Sequence, residues 1–153
     1  MHTVIFINSE KEMINLGKLI GEQLEKNSVI TLSGDLGAGK TTLTKGIGQA
    51  LNVQSIINSP TFTILKIHDG IIPLYHMDVY RIDKNSEDDD LEEFFEMDGV
   101  CVIEWAENIE YLLPNEFLKI EIEIVENGSR KVSITAIGEK YKKIIKGIKL
   151  WKH

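Results

Sequence analysis

The stretch SGDLGAGKTTLTKG, Ser33 to Gly46, restricts the fold of this chain more than any other. It follows the apolar run Val29–Leu32, which reads as a buried strand. It leads into Thr41–Leu51, which reads as a helix. Gly34, four intervening residues, then Gly39-Lys40-Thr41 fit the phosphate-loop pattern, and a strand before and a helix after are the context that pattern requires. Gly34, Gly37 and Gly39 permit torsions that a β-carbon forbids. The loop, Gly37 and Ala38 included, can then turn its amides inward around phosphates at the positive end of the following helix. In that arrangement Lys40 reaches the β and γ phosphates, the Thr41 hydroxyl sits on Mg²⁺, and Thr42 contacts the α phosphate. The stretch predicts a nucleotide site.

The rest of the chain reads as alternating strands and helices. Val4–Ile7 is a short β-branched strand. Met13, Leu16, Leu19, Ile20 and Leu24 recur at helical spacing, and Ser9 with Glu12 forms a capping box at that helix's start. Two extended runs, TFTILKI and IIPLYHM, flank Asp69-Gly70, a hairpin signal. SEDDDLEEFFEM reads as a helix capped by Ser86, with Leu91, Phe94 and Phe95 inward. VCVIEW is a buried strand, followed by a short helix ending near Pro114. The segment around Asn127-Gly128 alternates apolar and polar on both sides and predicts a second hairpin. Tyr141, Ile144, Ile145 and Ile148 define an amphipathic closing helix. With no internal repeat and no linker, residues 1–153 read as one α/β domain: a three-layer sandwich, like that of P-loop NTPases, with a mixed central sheet flanked by helices.

Composition narrows the class. A chain of 153 residues that is 42% hydrophobic and 27% charged can build a single globular core. Val4–Ile7 is too short for a signal sequence or a membrane span. Cys101 is the only cysteine, so no internal disulfide forms and a cytoplasmic location is expected. It lies in an apolar strand and reads as an inert core residue. The net charge of −7 argues against a surface that grips nucleic acid throughout. The last fifteen residues hold six lysines against one glutamate, so any contact with RNA would start at that tail.

A phosphate loop needs a further acidic group to hold hydrated magnesium. Glu104, at the end of the apolar run Val100–Ile103, stands where α/β ligands bind, at the C-terminal edge of a buried strand. In YHMDVYR, period-2 spacing puts His76, Asp78 and Tyr80 on one face. Asp78 can orient an attacking water or hold a metal-bound one. A lone histidine reads first as structural, so His76 is the weaker candidate. Trp105 covers the site edge or packs. The loop NSPTFTI, Asn58 to Ile64, lies where switch-like segments sense a γ-phosphate.

GDLGAGKTT, SPTFT, HMDVYR and VIEW, in this order in so short a chain, resemble the bacterial TsaE (YjeE) ATPases, over about residues 4 to 137. The resemblance implies Mg-ATP binding, weak ATPase activity in isolation, and association with the TsaB–TsaD pair in making threonylcarbamoyl-adenosine on tRNA. It implies Gly37, Ala38, Gly39, Lys40, Thr41 and Thr42 as the phosphate loop, Thr41 and Glu104 as the magnesium residues, and Asp78 as required for turnover. It also points to Ser9 and Arg130 as nucleotide contacts. The lysine-rich tail matches no motif of the family.

Two other functions stay open on the residues alone. A small-molecule kinase usually clamps the moving phosphoryl group with several arginines; this chain has two, Arg81 and Arg130. A nucleotide-gated binding module with incidental hydrolysis differs only in whether Asp78 matters. A GTPase is disfavoured, since no N-K-x-D sequence occurs.

Overall fold

The structure is a computed structural model, and it describes residues 1–58, 65–80 and 89–151. Seven strands form one mixed sheet: β1 (His2–Ile7), β2 (Ser28–Gly34), β3 (Leu65–His68), β4 (Leu74–Asp78), β5 (Val100–Glu104), β6 (Phe117–Ile124) and β7 (Arg130–Ile137). Their order across the sheet is β1-β7-β6-β2-β5-β4-β3. β2 runs parallel to both β5 and β6, and β4 runs parallel to β5. The two edges are antiparallel hairpins or returns: β3 on β4, and β1 and β6 on β7.

Helices α1 (Glu10–Gly21), α2 (Lys40–Ala50) and α3 (Lys142–Leu150) bury their apolar stripes in one cluster with Ile30, Leu32, Val100, Val102, Ile120 and Ile134 of the sheet. The opposite face is covered over β2, β5 and β4 by two 3₁₀ segments, Asp89–Glu96 and Ala106–Leu112, through Leu91, Phe95 and Ile109. Over β1 that face is open, with Val4 and Phe6 exposed. The sandwich is therefore three layers deep over its parallel centre, where the glycine loop lies.

α1 and α2 approach by way of two glycines. A β-carbon on Gly46 would lie 2.2 Å from the Ile14 carbonyl oxygen, and one on Gly17 would lie 2.3 Å from that of Leu43. The helix before the sheet's centre thereby seats directly on the helix that follows the glycine loop. Ser9 caps α1, its hydroxyl accepting from the Glu12 amide at 3.1 Å. The reciprocal arm of the expected capping box falls one residue earlier, because the Glu12 carboxylate accepts from the Asn8 amide at 3.0 Å.

Three local expectations differ from the structure. The acidic segment is 3₁₀ rather than α from Asp89 on; like charges four apart, Glu92 and Glu96, disfavour a longer α-helix there. The segment after β5 is also 3₁₀, kinked at Ile109. The β3–β4 connection is longer than a two-residue turn, since His68 pairs with Leu74. It reaches out to dock on the end of α2, where the Ile71 amide donates to the Leu51 carbonyl at 2.7 Å. The Asn127-Gly128 turn does close a hairpin, with Gly128 at φ 82° and Ile124 opposite Arg130.

Candidate functional site

β2, β4 and β5 are parallel, so Gly34, Asp78 and Glu104 all finish at the same edge of the sheet. The glycine loop leaves β2 there and returns as α2. Gly39 takes φ 118° as the cap of α2, a torsion that side chains resist, and this bend aims the first amides of α2 out of the sheet edge. A β-carbon on Gly39 would also press on Met13 Cε at 3.0 Å, so α1 backs the loop. Ala38 is buried, whereas Asp35, Leu36 and Gly37 form an exposed tip.

Lys40, Glu104 and His76 meet beneath this loop. Lys40 Nζ lies 3.6 Å from Glu104 Oε1, and His76 Nε2 lies 2.8 Å from Glu104 Oε2. Glu104 is 3% exposed and His76 fully buried, so the carboxylate is taken out of water and held between two donors. Asp78 stands beside Glu104 in register, partly exposed, and its Oδ1 accepts from the Tyr80 amide at 3.0 Å. Tyr80 itself is past the end of β4 and 61% exposed, so the expected three-residue stripe stops at Asp78. Its ring packs edge-on against Trp105, centroids 4.8 Å apart.

Trp105 has φ 63° and ψ 37°, an uncommon left-handed conformation for a bulky side chain. It turns the chain sharply after Glu104 and places the indole under Lys40, whose Nζ is 5.4 Å from the ring centroid. A cavity of about 140 Å³ opens here, lined by Gly34, Asp35, Lys40, Trp105 and Glu107.

A second cavity, of about 410 Å³, lies on the other side of the loop between Ser9, Met13, Gly39, Thr42 and Arg130. Arg130 projects from β7 and donates through Nε to the Ala38 carbonyl at 2.9 Å, through Nη2 to the Gly37 carbonyl at 3.4 Å, and through Nη1 to the Gly128 carbonyl. The Ala38 and Gly37 carbonyls are thereby turned towards Arg130, while the Ala38 amide donates to the Asp35 carbonyl at 3.0 Å. Thr41 and Thr42 are partly exposed in the first turn of α2.

The structure thus gathers Gly37, Ala38, Gly39, Lys40, Thr41, Thr42, Asp78 and Glu104 at one sheet edge, with Ser9 and Arg130 beside the larger cavity. Ser59, Pro60, Thr61, Thr63, Arg81 and Ser86 lie outside the described residues. The contact that sequence reasoning missed is His76 with Glu104. Period-2 spacing singled out His76, but the register that sets it against β5 is a tertiary fact. Cys101 is buried, with its thiol pushed up to about 12 by burial, and Sγ donates to the Phe94 carbonyl at 3.3 Å. Among the described residues no helix is long and apolar enough to cross a membrane.

Fold and site together define a mixed-sheet α/β protein with a strand–glycine loop–helix unit at its centre and acidic residues on the neighbouring strand ends. A family model described as "Threonylcarbamoyl adenosine biosynthesis protein TsaE" matches residues 7–132, and the chain belongs to that family. A relative from Bacillus subtilis, named tRNA threonylcarbamoyladenosine biosynthesis protein TsaE, is 50% identical over 127 residues, covering 82% of this chain and 80% of its own. A protein of the same name from Nostoc is 41% identical over 139 residues, covering 87% and 85%. The crystal structure of Bacillus subtilis YdiB superposes with a TM-score of 0.85 at 38% identity, over 97% of this chain and 95% of that one.

Proposed function

We propose that this chain binds Mg-ATP at the glycine loop and hydrolyses it in the service of tRNA threonylcarbamoyladenosine biosynthesis, acting with the TsaB–TsaD pair. The pathway rests on membership of the TsaE family, whose relatives carry that pathway in their names. The observation that carries the chemistry is Lys40 against Glu104 beneath a loop whose carbonyls are drawn away by Arg130. Phosphate oxygens replace Glu104 as the partner of Lys40, and the loop amides and the N-terminus of α2 surround them.

The donors at this edge suit magnesium: the Thr41 hydroxyl and the Glu104 carboxylate are hard oxygen ligands. No cluster of three or more His, Cys, Asp or Glu side chains among the described residues forms a protein cage. Magnesium is commonly held by one or two protein oxygens together with phosphates and water. Bound magnesium would supply charge neutralisation at the phosphates. Thr41 and Glu104 would hold it, Lys40 binds the phosphates, and Asp78, the more exposed carboxylate, orients the attacking water. Ser9, Thr42 and Arg130 border the remainder of the nucleotide.

The test combines ATP titration by calorimetry with modified-nucleoside analysis of tRNA. The protein should bind ATP, and cells lacking it should lose threonylcarbamoyl-adenosine until the wild-type chain, but not the Lys40→Ala variant, is restored. Normal modification without the protein would overturn the pathway, and no heat of ATP binding would overturn the site.

A further inference from the structure

Two buried histidine nitrogens lack a hydrogen-bond partner among the described residues: His68 Nε2 and His76 Nδ1. A buried ring nitrogen is normally paired with a protein group or an ordered water. These two belong to neighbours. β3 and β4 are antiparallel with Lys66 opposite His76 and His68 opposite Leu74, so His68 and His76 are diagonal neighbours on one face of the hairpin. His68 is 5% exposed and His76 fully buried.

Their other nitrogens are engaged, and this fixes the logic of the pair. His76 Nε2 faces Glu104 Oε2, a carboxylate that only accepts, so Nε2 carries the hydrogen, and in the Nε2–H tautomer Nδ1 is an acceptor. His68 Nδ1 lies 2.6 Å from the hydroxyl of Ser55, an exposed residue between α2 and β3. If that hydroxyl donates, His68 Nε2 carries a hydrogen and becomes the donor that His76 Nδ1 needs. Burial, with lesser effects from His76 and Lys66, lowers the pKa of His68, in keeping with a neutral ring.

We propose that Ser55, His68 and His76 form a one-directional hydrogen-bonded relay, closed by a single internal water between His68 Nε2 and His76 Nδ1, that positions Glu104. Each donor points toward the carboxylate: Ser55 to His68, His68 through water to His76, and His76 to Glu104 Oε2. Oε1 is thereby left facing Lys40 and the nucleotide. The relay ties the rotamer of Glu104 to the edge hairpin, through His68 and His76, and to Ser55 in the segment after α2. His76 is a positioning residue, since it acts through Glu104. The inference rests on the magnesium role given to Glu104 under the proposed function, but its structural half does not.

Side-chain ¹H–¹⁵N correlation spectra of the nucleotide-free protein test that half. His76 and His68 should both be Nε2–H tautomers, and His68→Asn, which keeps an amide at the Nδ1 position and deletes Nε2, should move the His76 Nδ1 resonance. An Nδ1–H tautomer at His76, or a His76 resonance indifferent to His68→Asn, overturns the relay. The functional half is read from isosteres. His76→Gln keeps a donor near the Nε2 position, whereas His76→Asn does not. Loss of such an outer partner lowers metal affinity or activity about ten- to hundredfold. His76→Asn should show that loss in magnesium half-saturation and in kcat, with ATP KM little changed, and His76→Gln should recover part of it. Equal behaviour of Asn and Gln, with matched losses of Tm, would reduce His76 to a packing residue. If the wild type hydrolyses no ATP while both tautomers are as stated, the proposed activity fails and the relay stands.

Discussion

Lys40 Nζ and Glu104 Oε1 stand 3.6 Å apart, one from the first residue of α2 and the other from the last residue of β5. Each group neutralises the other in a site that excludes most water. On the proposed function, a polyphosphate would take the lysine and an accompanying magnesium ion would be held by the carboxylate, so the pair suits a ligand that carries both charges. In that reading the Lys40–Glu104 contact is the arrangement of the site before the nucleotide arrives.

Lys40→Ala should weaken ATP binding while leaving the fold intact, since Lys40 projects from the loop into the site. A hydrogen bond to a charged group contributes about 1.5–3 kcal/mol, which corresponds to roughly ten- to hundredfold in affinity. Calorimetric titration checks this, with circular dichroism as the control for folding. Unchanged affinity would remove the lysine from the phosphate site.

Asp78→Ala and Glu104→Ala should separate binding from turnover. Both variants should still bind ATP, because the phosphate contacts proposed above are those of Lys40 and the loop amides. Phosphate release should fall in both, but added magnesium should partly restore only Glu104→Ala. If partner-stimulated hydrolysis is indifferent to both changes, neither residue takes part in the chemistry, and the chain is a nucleotide-gated module.

Gly46→Ala should destabilise the protein, although alanine is the better helix former. Helix propensity favours the change by about 0.8–1.0 kcal/mol. The new β-carbon would, however, lie 2.2 Å from the Ile14 carbonyl oxygen, a backbone atom that cannot rotate away. Overpacking of this kind costs about 1–3 kcal/mol, so the clash should win. Urea denaturation gives the sign, and a stabilised variant would show that α1 and α2 can part freely.

The thiol of Cys101 should be inert in the native protein. Burial raises it from 9.0 to about 12, so the reactive thiolate is scarce at pH 8. The same shift has a sign for stability. Below about pH 9 the thiol is neutral in both folded and unfolded chains. Between 9 and 12 the unfolded chain ionises first, and stability falls as pH rises. Alkylation followed by mass spectrometry should label Cys101 in denaturant and hardly at all without it.

Local chemistry made the glycine loop legible in the sequence: glycine, lysine and threonine at fixed spacing between an apolar strand and a helix carry their own geometry. The Asn127-Gly128 hairpin was legible for the same reason. What the sequence withheld depends on pairing between distant strands. His76 could be placed on a face but not against Glu104, since nothing in YHMDVYR states its register with VCVIEW. The family resemblance points to Arg130 as a nucleotide contact, yet its three donations to loop carbonyls depend on where β7 falls beside the loop. The positive φ of Trp105 and the Gly17–Gly46 contact are likewise products of packing, with no local signature in composition or period.

The isolated chain should be a slow ATPase that TsaB–TsaD accelerates. Fast hydrolysis at a phosphate loop usually needs a cationic finger on the γ-phosphate, worth about 10³–10⁵ in rate. The sequence contains two arginines, Arg81 and Arg130. All three guanidinium nitrogens of Arg130 already donate to carbonyls of Gly37, Ala38 and Gly128, so releasing it would unbrace the loop it supports. Arg81 lies outside the described residues, three positions after Asp78. The rim on the Lys40 side is open, with Leu36 98% exposed at the loop tip and Tyr80 61% exposed beside Trp105. A partner that covers this rim can supply the missing charge or close the site around it, and hydrolysis is then confined to the assembled complex. Steady-state phosphate release should be low for the pure chain and should rise at least about tenfold when the TsaB–TsaD pair is added. Turnover that is already fast, and unaffected by the pair, would mean that the chain completes its own catalytic site, as a kinase does.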